Sequence, residues 1–246
     1  MNIHLIQGYI QNTFLVEYEH GCLLLDGASR QDYHLIKQFF AETLRRPFTD
    51  LKVVIVTHMH PDHAGCAHKL RQATGCKIVS GQFERQWYAG FGGRLQHIID
   101  LSLGYWVAGR LGRGRQFIYY PPHVYPDIKL ADGEPIPGFE DWKVLYTPGH
   151  TTLDISVVNE TERVLYAADL IVWVRKAPAP PYPVHLPQAY KDSLERIKAY
   201  VGFDILLAHV KRQPLTASML EAVLAKAPDL PKTTWETVKS KARVWR

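Results

Sequence analysis

Thr57-His58-Met59-His60-Pro61-Asp62-His63-Ala64-Gly65 follows directly on the β-branched run Val53-Val54-Ile55-Val56. That run predicts a buried strand over Leu51–Val56. Side chains alternate along extended backbone, so His58 and His60 point the same way past Met59 and can chelate one ion. Pro61 disfavours helix at His60 and keeps that geometry open. Asp62 and His63, at the start of a helix expected from about His63 to Ala73 and stopping at Gly75, are then free to reach a second ion. Imidazole nitrogen with carboxylate oxygen suits Zn²⁺, with Fe or Mn as alternatives and Ca²⁺ disfavoured. Two histidines at i and i+2 would by themselves more often be structural. Four metal-competent groups within six residues, at the C-terminal end of a buried strand, reverse that balance.

Outward from this motif the chain alternates strand and helix. On the N-terminal side, residues 13–16 and 21–27 read as a hairpin, and Leu35, Ile36, Phe39, Phe40 and Leu44 recur at helical spacing before Pro47. Residues 77–80 form the strand that follows the motif helix. Residues 84–127 break the rhythm with aromatic residues set among glycines, and are expected to be an insertion with helical pieces. Strands resume at 142–146, 155–159 and 164–167. A Pro-rich loop holds Pro178, Pro180, Pro181, Pro183 and Pro187; Tyr190, Leu194, Ile197 and Val201 mark an amphipathic helix; 203–208 is a strand and 215–224 a helix. One domain over residues 1–246, carrying the 84–127 insertion, is the expected organisation.

Composition sets limits on function. At 246 residues, 46% hydrophobic and 22% charged, the chain can bury a sizeable core, which excludes a disordered or collagen-like chain. Cys22, Cys66 and Cys76 are too few for a disulfide framework. The longest aliphatic stretches fall far short of the ~20 residues that span a bilayer, so no membrane span is expected. Met1-Asn2-Ile3-His4-Leu5-Ile6-Gln7-Gly8 lacks a cationic leader, and the expected compartment is the cytoplasm. The net charge of +5 is concentrated. Residues 226–246 carry Lys226, Lys232, Lys239, Lys241, Arg243 and Arg246 against Asp229 and Glu236, and Arg110, Arg113 and Arg115 form a second cluster. The rest of the chain is not basic, and nucleic acid is not an expected partner. Histidine is the compositional oddity, at 12 residues.

With its His-x-His-x-Asp-His motif after a strand, the sequence resembles the metallo-β-lactamase-fold superfamily. Further matches follow in order at Tyr146-Thr147-Pro148-Gly149-His150-Thr151, Ala167-Ala168-Asp169 and Leu206-Leu207-Ala208-His209. The resemblance implies an α/β fold, the four-layer αββα sandwich. It implies that His58, His60 and His150 hold a first metal and Asp62, His63 and His209 a second, with Asp169 bridging. The implied chemistry is that of two close divalent cations, zinc by preference, which bring the pKa of a shared water from 15.7 towards ~7 so that hydroxide can attack a carbonyl. Asp62 is the expected catalytic residue, orienting the nucleophile and passing a proton to the leaving group.

Departures from the subgroups narrow the substrate. Asp169 and the absent leader argue against a true β-lactamase, and His60 argues against the flavo-diiron relatives. Nucleic-acid-processing relatives carry extra domains for which there is little room. Only 37 residues follow His209, and no convincing counterpart of the glutathione-binding region of glyoxalase-II-like thioesterases is present. Homoserine-lactone lactonases share ligands and size but place a tyrosine where Val172 stands. The expectation is a hydrolase of a small ester, lactone or thioester. The rivals are a mononuclear-iron persulfide dioxygenase and a metal-binding protein without turnover. Trp87, Tyr88, Phe91 and Trp106 are candidates for an apolar lid over substrate, with Tyr182 and His185 as an opposing wall; equally, the aromatics could be the insertion's own core or a homodimer contact.

Overall fold

The computed structural model describes residues 1–233. Of the basic C-terminal segment, Lys239, Lys241, Arg243 and Arg246 lie outside the described residues. The chain divides into two compact units, the first made of Met1–Ala131 with Ile136–Phe139 and the second of Asp132–Pro135 with residues from Glu140 onward.

The first unit is built on a six-stranded sheet whose spatial order is its chain order: β1 (Asn2–Gln7), β2 (Asn12–Tyr18), β3 (Gly21–Leu25), β4 (Leu51–Val56), β5 (Lys77–Gly81) and β6 (Ile128–Leu130). β1, β2 and β3 are antiparallel, with Glu17 opposite Cys22 at the hairpin. From β3 to β6 the strands are parallel, which requires crossovers. These supply α1 (Tyr33–Gln38), α2 (Pro61–Ala64), α3 (Ala67–Thr74) and α4 (Gly90–Arg110). Alternate strand residues Leu15, Leu24, Val54 and Ile78 pack on Ile36, Phe40, Ala67 and Leu70. The period of two in the strands thereby meets the apolar stripes of the helices.

Sequence periodicity predicts one helix after the motif, whereas the structure has two. The Cys66 amide donates to the Gly27 and Ala28 carbonyls (3.1 and 3.0 Å), and this bond to the loop after β3 separates α2 from α3. The expected stop at Gly75 is present, with its N–H on the Arg71 carbonyl. Where helical pieces are expected in 84–127, α4 runs unbroken for 21 residues despite five glycines. Gly104 is there for space: a Cβ would lie 3.1 Å from Ile118 Cδ1 and 3.3 Å from Ile10 Cδ1.

The second sheet has the order β14-β13-β10-β9-β8-β7. Its strands are β7 (Pro135–Ile136), β8 (Phe139–Tyr146), β9 (Ile155–Asn159), β10 (Val164–Tyr166), β13 (Asp204–Leu207) and β14 (Val210–Pro214). Between β10 and β13, which are parallel, come a small hairpin, β11 (Val172–Val174) and β12 (Ala177–Ala179), and then α5 (Pro187–Ile197). The last helix is α6 (Ala217–Leu224). Leu145, Val158, Leu165 and Leu207 pack against Tyr190, Leu194 and Ile197 of α5 and Leu220 and Val223 of α6. Each unit is thus a sheet with helices packed on it, and the chain has the α/β class expected of it.

Candidate metal centre

In the first unit β4 ends at Val56, and the next seven residues hold His58, His60, Asp62 and His63. All three histidines are buried. His60 has extended backbone (φ −62°, ψ 153°) and caps α2, with Pro61 in its first turn. The imidazoles of His58 and His63 each have one nitrogen fixed by a neighbour. The Thr57 hydroxyl donates to Asp26 Oδ2 (2.7 Å), so its oxygen is left to accept from His58 Nδ1–H at 3.1 Å. His63 Nδ1–H donates to Asp26 Oδ2 at 2.6 Å. His60 Nε2 faces Asp100 Oδ2 at 3.6 Å. Because a carboxylate or a committed hydroxyl can only accept, the partners of His58 and His63 set their tautomers. The lone pair is left on Nε2 of His58 and on Nε2 of His63.

Those nitrogens face further polar atoms of the motif. His58 Nε2 and His60 Nδ1 stand 3.1 Å apart, and His63 Nε2 stands 3.7 Å from Asp62 Oδ2. At such distances a proton or a cation can lie between the two atoms of each pair. Two Zn–N bonds at a tetrahedral angle separate the nitrogens by about 3.3 Å, so the histidine pair fits a shared cation.

The second unit repeats the pattern with residues from three strand ends. His150 follows β8, Asp169 follows β10 and His209 follows β13. His150 Nδ1–H donates to the Pro183 carbonyl (2.6 Å), and its Nε2 stands 3.7 Å from Asp169 Oδ2. His209 Nε2 is 3.3 Å from Asp169 Oδ1. The His150 loop is fixed by Asp154, which accepts from the Gly149 and Thr151 amides (3.0 and 2.6 Å) and the Thr151 hydroxyl (2.7 Å). Burial nevertheless pushes the Asp154 carboxyl up.

The other candidates separate. Tyr88 is fully buried and its hydroxyl donates to Asp100 Oδ2 at 2.8 Å, while Trp87 packs on the first unit's core. Phe91 and Trp106 face outward from α4, 88% and 60% exposed. In the second unit Tyr182 is exposed, and the His185 amide donates to the Gly149 carbonyl at 2.9 Å. Burial, with the neighbouring His150, lowers the His185 imidazole pKa to about 4. All three cysteines are free and buried, and burial pushes the Cys66 thiol up to about 12, where it is no nucleophile.

Sequence reasoning missed the residues that contact the candidate ligands. Asp26 reads there as a strand-closing turn residue; its signal is an Asp-Gly pair directly after a buried strand. Asp100 has no local signal, being the lone acid in an apolar helix forty residues from His60.

The chain is 25% identical over 183 residues to a protein described as the probable metallo-hydrolase YflN of Bacillus subtilis strain 168, covering 71% of this chain and 66% of that one. It is 25% identical over 186 residues to a hydroxyacylglutathione hydrolase of Bradyrhizobium sp. BTAi1, covering 72% and 58%. The alignments thus span less than two thirds of these relatives' lengths. Among solved structures, the metallo-beta-lactamase family protein TTHA1429 of Thermus thermophilus superposes with a TM-score of 0.67 at 20% identity, over 98% of this chain and 81% of that one. The family model of the metallo-beta-lactamase superfamily matches residues 6–209, a span that runs from β1 to the last candidate ligand. The chain belongs to the metallo-beta-lactamase superfamily.

Proposed function

We propose that this chain is a metal-dependent hydrolase of a small ester, lactone or thioester, working as one catalytic domain. In this reading His58, His60 and His150 hold one divalent ion, Asp62, His63 and His209 a second, and Asp169 serves both. The observation that carries it is the convergence of two buried imidazoles, His58 Nε2 and His60 Nδ1 standing 3.1 Å apart, close to the spacing that two metal–nitrogen bonds to one ion would give. Imidazole and carboxylate donors favour zinc over calcium. When bound, such ions supply Lewis acidity for activating water and polarising a carbonyl.

The chain's own residues do the rest. Asp26, Thr57 and the Pro183 carbonyl hold imidazoles in one tautomer and one orientation, so that little reorganisation is needed when charge develops. Asp62 is only slightly exposed. In this reading it is a ligand, orients the attacking water and keeps the proton that passes to the leaving group. The thioester class is supported by the likeness to the Bradyrhizobium hydrolase.

Metal analysis of protein purified without added metal tests this. About two zinc per chain with hydrolysis of a reporter ester or thioester supports it; about one iron with oxygen consumption on a persulfide replaces it. His60→Ala and Asp169→Asn should each lose metal and activity together. Full hydrolysis by metal-free His60→Ala protein overturns the proposal.

A further inference from the structure

The helix α4 is inside out. Its polar and small residues His97, Asp100, Gly104 and Ala108 are buried in the first unit, whereas the large apolar side chains of its outer face are exposed. Phe91, Leu95, Ile98 and Trp106 fall at spacings of four, three and eight residues, which place them along one stripe. Leu111 and Phe117 continue the exposed apolar surface beyond the helix. A helix at a water-facing surface normally shows the opposite arrangement, and an apolar patch of this extent marks a contact surface.

Charge identifies what would cover it. From residue 90 to 119 the basic residues are Arg94, Arg110, Arg113 and Arg115, and the single acid, Asp100, is buried. Arg110 stacks over Trp106 with its guanidinium carbon 5.0 Å from the ring centroid, which keeps cation and aromatic on the same side of the helix. The exposed face is therefore apolar with cations at both ends and no exposed acid. A second copy docked by antiparallel pairing about Ser102 would set Arg94 against Arg110 of its neighbour, like charge against like. Nucleic acid would use the aromatic rings and arginines but has no use for Leu95, Ile98 and Leu111, which lack a π face. An anionic lipid surface accepts all of these groups, with aliphatic and aromatic side chains at the acyl boundary and arginines at the headgroups. Among the described residues no helix is long and apolar enough to cross a membrane, so the helix, about 31 Å long, would lie on the surface and not span it.

We propose that the outer face of α4, with Leu111 and Phe117, seats this protein on an anionic membrane surface. The inference is independent of the metal chemistry.

Vesicle flotation of the full chain tests it, with phosphatidylcholine vesicles alone and with phosphatidylglycerol added. The expected result is flotation with the anionic vesicles, much weaker flotation with neutral ones, and weakening at high salt. Ile98→Asp with Trp106→Asp, both at exposed positions, should lower the partition coefficient at least about ten-fold, and Arg94→Gln about five-fold. A melting curve for each variant confirms that it is folded. Three results would overturn the proposal. One is flotation unchanged in the Ile98/Trp106 double variant, which would assign attachment to the Lys/Arg-rich 226–246 segment. Another is no vesicle binding together with a concentration-dependent dimer that the double variant abolishes. The third is oligonucleotide binding with no vesicle binding.

Discussion

Asp100 Oδ2 lies 3.6 Å from Nε2 of His60, and through this contact the insertion reaches the histidine motif. The same carboxylate accepts the Tyr88 hydroxyl at 2.8 Å and the Gln96 amide at 2.7 Å. The Tyr120 hydroxyl, next in this buried cluster, donates to the Met59 carbonyl between the two motif histidines. The backbone at Met59 is thus held by a residue of the segment 84–127, and the imidazole at His60 faces another. A carboxylate near Nε2 favours the His60 tautomer that carries its proton there.

Asp100→Asn is therefore expected to weaken metal binding about ten- to hundred-fold, the usual consequence of losing a carboxylate behind a ligand histidine. The amide can still bond to Tyr88, so the change in melting temperature of the metal-free protein should be small. Chelator competition measures the affinity. An unchanged competition curve would reduce Asp100 to a packing role.

Asp26 is under heavier demand. Its carboxylate accepts from the Gly27 and Thr57 amides, the Thr57 hydroxyl and His63 Nδ1, and its backbone adopts φ 103°, a conformation held only where the surroundings impose it. Asp26→Asn turns one acceptor edge into a donor, so either Thr57 or His63 faces an N–H group. One buried donor without an acceptor costs about 2 kcal/mol. Urea unfolding should show that loss, and the metal content should fall with it, because His63 is then free to present its other nitrogen.

Much of this arrangement can be read in the sequence. The strand Leu51–Val56 and the candidate ligand types after it follow from β-branching and the period of two, and the ordered elements around His150, Asp169 and His209 mark the second group of candidate ligands. Contacts between segments distant in sequence could not be read. Asp26 and Asp100 reach the motif only because parallel crossovers return the chain to neighbouring positions. β1, β6 and β14 are short or polar strands whose partners define them more than their own residues do. Lid aromatics cannot be sorted by type either: Tyr88 turns inward because its hydroxyl finds Asp100, while Phe91 and Trp106 turn outward.

His97 carries the clearest pH dependence in the first unit. Its ring packs between Tyr88 and Tyr120, with centroids 4.8 and 5.1 Å away. Burial, aided by the Arg94 charge, lowers its pKa from 6.5 to about 4. A folded value below the unfolded one means that the fold binds the neutral form. Its contribution is complete above pH 6.5 and is lost as pH falls towards 4, about 3 kcal/mol over the whole window. His97→Phe keeps the aromatic packing and removes the titration. Stability measured by denaturant between pH 7 and pH 4 should fall less steeply in the variant; parallel curves would show that His97 is not the titrating group.

Gly149, immediately before His150, tests how tightly the second ligand group is held. A Cβ there would lie 2.4 Å from both Cα and Cβ of Tyr190, and φ is +144°. The Gly149 carbonyl also accepts the His185 and Leu186 amides. Gly149→Ala must therefore push the His150 loop away from the start of α5. Steric overlap and backbone strain together should cost about 3 kcal/mol or more. Gly75→Ala provides the control, because its φ is also positive, at +76°, but nothing lies within 4 Å of the added carbon. That variant should lose only about 1 kcal/mol, the cost of the left-handed backbone. If metal content falls in Gly149→Ala and not in Gly75→Ala, the close approach of α5 to the loop is what aims His150; equal losses in both variants would assign the effect to backbone conformation alone.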